Sequence, residues 1–188
     1  MVKNKIRKSL FEQGQSLPDN FISDANLIIQ SKALKEIDIK SMTNSLLYFP
    51  YRKEITVDLI EDELRKYSNN IYVPRIISGK NMLFNLKNDG PLITNQYGIN
   101  ELDNNKYLDP LSFQCMFIPF IGVDSNGFRL GYGGGYFDRS LEVLKNSKVK
   151  PLIVGLGYDY QACKEAFGEA HDLKYDLVIT ESHIHSFA

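Results

Sequence analysis

The apolar positions along the chain follow two kinds of spacing. In residues 3–13 they recur at helical intervals, with Ile6, Leu10 and Phe11 on one face, which predicts a short amphipathic helix. Gly14, Pro18 and Asp19 break it. A second helix is expected from Ile22 to Leu34, burying Ile28, Ile29 and Leu34. Leu46 to Tyr51 is a short apolar run that reads as a buried strand ending near Pro50. Ile55, Leu59, Ile60 and Leu64 return to helical spacing and predict a helix over Glu54 to Tyr67. Glu54 would stand at its start, where a carboxylate suits the helix dipole. Strands are then expected at Ile71 to Val73, closed by Pro74, and at Met82 to Phe84, after a turn at Gly79. Further strands are expected at Cys115 to Val123, Leu152 to Leu156 and Asp176 to Ile179. Helical patterns fall between these at Arg139 to Lys145 and from Gln161 to Ala166. Short strands alternating with helices predict an α/β fold, an open and mostly parallel sheet with helices on both faces in Rossmann-like layers. No repeat or linker composition interrupts the pattern, so residues 1–188 are expected to form one domain.

One stretch departs from both periods. Gly131, Gly133, Gly134 and Gly135 fall within five residues, after an apolar run and before a helical pattern. Glycine accepts positive φ and lets backbone N–H groups approach a ligand closely. A helix that follows would turn its free N–H groups toward the same spot. Arg129 and Arg139 add guanidinium donors of phosphate-matching shape. Asp138 would repel a bound phosphate unless a hard divalent cation such as Mg2+ lay between them. The stretch lacks the Gly-Lys-Ser/Thr of the common P-loop and the spacing of a dinucleotide site. A tight strand-to-helix turn would use the same glycines, so the residues alone leave phosphate binding and a plain turn both open.

Composition narrows the field only a little. The chain is 43% apolar and 24% charged with a net charge of −1, so bulk electrostatics favour neither nucleic acid nor an anionic membrane. Cys115 and Cys163 lack metal-ligand spacing and read as thiols rather than a disulfide. His183 and His185 read as a surface pair at a frayed end. The N-terminus has lysines but no apolar signal core, and no run reaches the ~18 residues of a membrane span, so a cytoplasmic monomer is expected.

The string Arg129 to Arg139, Arg-Leu-Gly-Tyr-Gly-Gly-Gly-Tyr-Phe-Asp-Arg, resembles the signature of the 5-formyltetrahydrofolate cyclo-ligase family, also called methenyltetrahydrofolate synthetases. Further motifs agree in order from Lys3 to Glu181: Lys3-x-x-x-Arg7, Tyr48 with Glu54 six positions on, Pro74 with Met82 and Phe84, Gly98-Ile99-Asn100-Glu101, and His171-Asp172. The resemblance implies ATP contacts at Lys3, Arg7, Arg129, Gly131, Tyr132, Gly133, Gly134, Gly135, Tyr136 and Phe137. It implies folate contacts at Phe49, Glu54 and Tyr136, and Mg2+ ligands at Asp138 and Asp172. The reaction it implies takes two small-molecule substrates, ATP and 5-formyltetrahydrofolate, to 5,10-methenyltetrahydrofolate, ADP and phosphate. A phosphorylated formyl group would be the intermediate. No side-chain nucleophile is required; Lys3, Arg7 and Arg129 would neutralise phosphate charge. The chain departs from the family pattern at Val57, Leu102 and Phe137, where the family has Thr, Pro and often Tyr. A second reading is a non-catalytic nucleotide- or folate-binding protein of the same fold.

Overall fold

The computed structural model describes residues 2–187, apart from the side chain of Lys80. Two helices open the chain, α1 (Val2–Gln15) and α2 (Asp19–Glu36). Strand β1 (Asn44–Leu46), helix α3 (Asp58–Lys66), and strands β2 (Asn70–Ile77) and β3 (Asn81–Leu86) follow. A small hairpin, β4 (Leu92–Thr94) and β5 (Asn100–Leu102), precedes β6 (Cys115–Phe117). A second hairpin, β7 (Gly122–Val123) and β8 (Arg129–Leu130), leads into the glycine loop and α4 (Tyr136–Ser140). Strands β9 (Leu152–Leu156), β10 (Leu177–Ile179) and β11 (Ile184–Ser186) complete the chain.

The main sheet has the order β11-β10-β9-β6-β1-β2-β3. Its inner strands, β10 to β2, are all parallel, and the two edge strands are antiparallel. Numbered in chain order, the parallel strands lie 2-1-3-4-5 across the sheet, so the winding reverses between β1 and β6. Open α/β sheets leave a crevice there, beyond the carboxyl ends of the strands.

The pleat sends alternate residues of β6 to opposite faces. Cys115 and Phe117 meet Ala25, Ile29 and Ala33 of α2 and Ile60 and Leu64 of α3. Met116 and Ile118 meet Phe137, Leu141 and Leu144 from α4 and the 3-10 turn Glu142–Asn146. The buried polar residue between α2 and α3 is Gln30, whose Oε1 accepts from Leu59 N–H at 2.9 Å and so caps α3 from outside.

Several elements differ from the periodicity, each for a local reason. The strand expected to Tyr51 stops at Leu46, because the chain leaves the sheet there and Tyr48 Oη donates to Ile55 O at 2.7 Å across the loop. The helix expected from Glu54 starts at Asp58, since Glu54 is drawn into that loop. Strand β2 runs through Pro74 to Ile77: β1 ends opposite Tyr72, so the missing proline N–H faces no strand. Pro119 splits the run Cys115–Val123 into β6 and β7. The helix expected at 139–145 begins earlier, at Tyr136, and passes into the 3-10 turn after Ser140. No helix forms over 161–166. Cys163 N–H goes to Val123 O, and Phe167 and Gly168 N–H go to Asp124 Oδ2, which holds the segment open against β7. Ile28, expected to be buried, is 43% exposed, while Ile29 beside it is fully buried. His183-Ile184-His185 is not a frayed end, because Ile184–Ser186 pairs with β10 as the edge strand β11. The cysteines are both free, as expected. Among the described residues, no helix is long and apolar enough to cross a membrane.

Candidate functional site

A cleft of about 410 Å3 opens at the winding reversal. Its floor comes from the chain after β1 (Tyr48, Phe49) and after β6 (Pro119), and one wall is the glycine loop. The opposite wall is the end of β2 and the β4–β5 hairpin. This volume suits a drug-sized heterocycle.

The glycine loop keeps the conformations its sequence implies: Gly133 has φ 96° and Gly135 has φ 66°. Helix α4 is five residues long, little more than one turn, so its dipole is short. Helix α1 lies over the loop. Arg7 Nε donates to Gly131 O at 2.7 Å, and Lys3 Nζ donates to Asp172 Oδ2 at 2.6 Å. Arg7, far from the glycines in sequence, therefore meets them in space, while Lys3 of the same helix meets Asp172. Arg139 donates to Gly134 O, within the loop itself, at 2.6 Å.

The two expected metal carboxylates are linked through Leu173. Asp138 Oδ1 accepts from Leu173 N–H at 3.0 Å, and Asp172 is the residue before it. Asp172 also groups with Glu169 and His171, with donor atoms within 4.8 Å of one another. The spacing of the sequence did not single out Glu169. Carboxylate oxygens of this kind fit a hard divalent cation, and Lys3 at Asp172 shows that the position holds positive charge.

Arg129 is 7% exposed and lines the cleft. Its Nε donates to Pro119 O at 2.8 Å, and its guanidinium lies 4.9 Å from the centre of the Phe137 ring. Among the described residues, no carboxylate lies within ion-pairing distance of it. A buried cation with no acid partner costs several kcal/mol of hydration, roughly, and the cleft is where an anion could offset that cost. Phe137, expected as an ATP contact, packs its ring into the core beneath Arg129 and lines the cleft only in part. A tyrosine there would have to place its hydroxyl, which explains how Phe is accommodated.

Glu54 lies inside the cleft, not at a helix start. Its Oε2 accepts from Tyr51 N–H at 2.8 Å and its Oε1 from Tyr132 Oη at 3.1 Å. Burial pushes its pKa from 4.5 up to about 7, against the opposing pull of those two donors and of Arg129. The folded protein thus holds a proton that the unfolded chain releases near 4.5, so this group favours folding below that pH and loses the effect as pH rises through 7. Glu54→Gln keeps one acceptor oxygen for Tyr51 N–H, offers its amide N–H to the Tyr132 hydroxyl, and removes the charge. Its gain in stability over wild type should grow from pH 5 to pH 8 by up to about 3 kcal/mol, read as a widening gap in Tm; a constant gap would show that Glu54 titrates normally.

Phe49 and Tyr136, the remaining expected folate contacts, both line the cleft. Phe49 has Lys87 Nζ 5.1 Å over its ring. Tyr136 reaches across to Tyr97 of the hairpin, hydroxyl to hydroxyl at 2.9 Å. The tyrosine before Gly98 carried no distinguishing pattern in the sequence. Glu101 is buried and accepts from Ile76 N–H and Asn95 Nδ2, at 2.9 and 2.7 Å, tying the hairpin to β2. The substituted Val57 and Leu102 are both buried, the first ahead of α3 and the second in β5, so they serve packing.

Residues 1–181 match the family model described as the 5-formyltetrahydrofolate cyclo-ligase family. A 5-formyltetrahydrofolate cyclo-ligase of Haemophilus influenzae is 31% identical over 157 residues, covering 80% of this chain and 83% of that protein. The cyclo-ligase of Mycoplasma pneumoniae is 26% identical and covers 96% and 99%. Among solved structures, a 5,10-methenyltetrahydrofolate synthetase from Mycoplasma pneumoniae superposes with a TM-score of 0.77 over 96% of this chain and 99% of that one, at 23% identity. One from Aquifex aeolicus gives 0.83 over 100% and 93%, also at 23% identity. At that identity the superpositions speak for the fold.

Proposed function

The chain belongs to the 5-formyltetrahydrofolate cyclo-ligase family, and from that premise we propose that it converts 5-formyltetrahydrofolate and ATP to 5,10-methenyltetrahydrofolate, ADP and phosphate. The observation that carries the reading is Arg129. It is a buried guanidinium with no carboxylate within ion-pairing distance among the described residues, in the same cleft as a half-buried carboxylate, Glu54, and beside a glycine loop that Arg7 of α1 contacts, with Lys3 of the same helix at Asp172.

In this reading ATP lies along the glycine loop, with Gly131 to Gly135 offering backbone donors. Lys3, Arg7 and Arg129 neutralise charge on the transferring phosphoryl group, which is most of what phosphoryl transfer asks of a protein. The heterocycle lies between Phe49 and Tyr136, and Glu54 accepts from its N–H groups. The formyl oxygen attacks the γ-phosphorus and ADP leaves. N10 then attacks the formyl carbon and loses its proton, and phosphate departs with the former formyl oxygen. Mg2+, held by Asp138 and Asp172, would supply further charge neutralisation at the phosphate oxygens. No cysteine lines the cleft, and burial pushes the thiols of Cys115 and Cys163 up, the latter to about 11, in keeping with a route that needs no protein nucleophile.

The test is absorbance in the near-ultraviolet band of the methenyl product, with purified protein, 5-formyltetrahydrofolate, ATP and Mg2+. A rise that requires the protein together with 5-formyltetrahydrofolate, ATP and Mg2+ is expected. No rise, with ATP still bound in calorimetry, would turn the reading toward a non-catalytic binding protein.

A further inference from the structure

We propose that Arg52 receives the acidic tail of the folate at the mouth of the cleft and sets the preference for tail length; this rests on the function proposed above. Arg52 lines the cleft but is solvent-exposed. Its φ is 56°, in the left-handed region where a residue with a Cβ is strained. Strain of this kind concentrates at functional positions, since glycine would occupy the same place without it.

The guanidinium is held in place. It lies 4.6 Å from the ring centre of Phe11 on α1 and 4.9 Å from that of Tyr51. Its cationic neighbour Lys53 is engaged elsewhere, donating to the carbonyls of Gln15, the last residue of α1, and of Leu17. Among the described residues Arg52 has no carboxylate within ion-pairing distance. The cleft lining thus holds two cations of different exposure: Arg129 is buried and Arg52 is open to solvent, and Glu54 and Glu101 line the same cleft. A ligand that meets both cations carries an anionic group at each end of an N–H-rich ring system. The phosphorylated formyl group supplies the inner anion. The glutamate carboxylates of the folate supply the outer one.

The test compares 5-formyltetrahydropteroate, which has no glutamate, with the mono- and triglutamate forms of 5-formyltetrahydrofolate, in wild type, Arg52→Gly and Arg52→Lys. An exposed ion pair predicts that Arg52→Gly raises KM for the monoglutamate by about two- to fivefold. The factor should be larger for the triglutamate and absent for the pteroate, with Arg52→Lys in between. The KM for ATP should not move. Glycine relieves the positive φ, so Tm of Arg52→Gly should not fall. Equal effects on tailed and tailless substrates, or a raised KM for ATP, would overturn the proposal. Either would make Arg52 a support for α1 through Phe11. A wild-type protein that turns over none of the three would sink the parent reading; wild-type turnover with no tail dependence on Arg52 would sink this inference alone.

Discussion

Arg129→Met should lower kcat/KM for 5-formyltetrahydrofolate by about a hundred- to a thousandfold, the loss seen when one preorganised electrostatic group is removed from a transition-state site. Methionine retains an apolar stem over Phe137 and removes the charge. The variant gives up the bond from Nε to Pro119 O, at 2.8 Å, but also relieves a buried cation that has no acid partner among the described residues. Those effects oppose each other, so Tm should stay within a few degrees of wild type, given roughly 2–4 °C per kcal/mol at this size. Steady-state kinetics and thermal unfolding together decide the matter. A large fall in Tm with near-normal turnover would make Arg129 a strut between Pro119 and Phe137 and nothing more.

The second large effect is expected at Asp138→Asn. The amide oxygen can still accept from Leu173 N–H, the contact that Asp138 Oδ1 makes at 3.0 Å, so the segment before β10 keeps its anchor. What is lost is the negative charge. The Mg2+ concentration for half-maximal turnover should rise by at least about tenfold, the scale on which perturbed ligand sets lose metal affinity. The measurement is turnover against Mg2+ at saturating ATP. An unchanged titration curve would remove Asp138 from the metal site and point instead to Asp172 with Glu169 and His171. Asp172 makes a poorer first target, because its Oδ2 also accepts from Lys3 Nζ at 2.6 Å and from Glu169 N–H at 2.8 Å, so changing it disturbs α1 and the loop at once.

The glycine loop was legible in the sequence because its chemistry is local. Positive φ at Gly133 and Gly135 is a property of those residues, and the arginines and the aspartate stand within a few positions of them. Glu54 was harder. A carboxylate ahead of a helical pattern has a sufficient local explanation, and only the fold shows it four residues short of α3 and turned into the cleft. Arg52 carried no signal at all. One exposed arginine in a loop is ordinary until its φ, its two ring contacts and its place on the cleft rim are seen together.

By itself the sequence determined the alternation of strands and helices, hence the α/β class and the parallel sheet, because side-chain period follows from backbone geometry alone. It also singled out the glycine loop, and the resemblance across the chain pointed to the partners of that loop. Only the tertiary structure decided which strands lie side by side and so where the winding reverses between β1 and β6. It decided that residues 161–166 stay open, since the backbone donors of Cys163, Phe167 and Gly168 go to Val123 and Asp124, some forty residues away. It also decided that Lys3 meets Asp172 across 169 residues of chain. Periodicity reports which face of an element is buried, but not against what. Contacts between distant segments depend on the summed packing of the whole chain, and no local pattern encodes that sum.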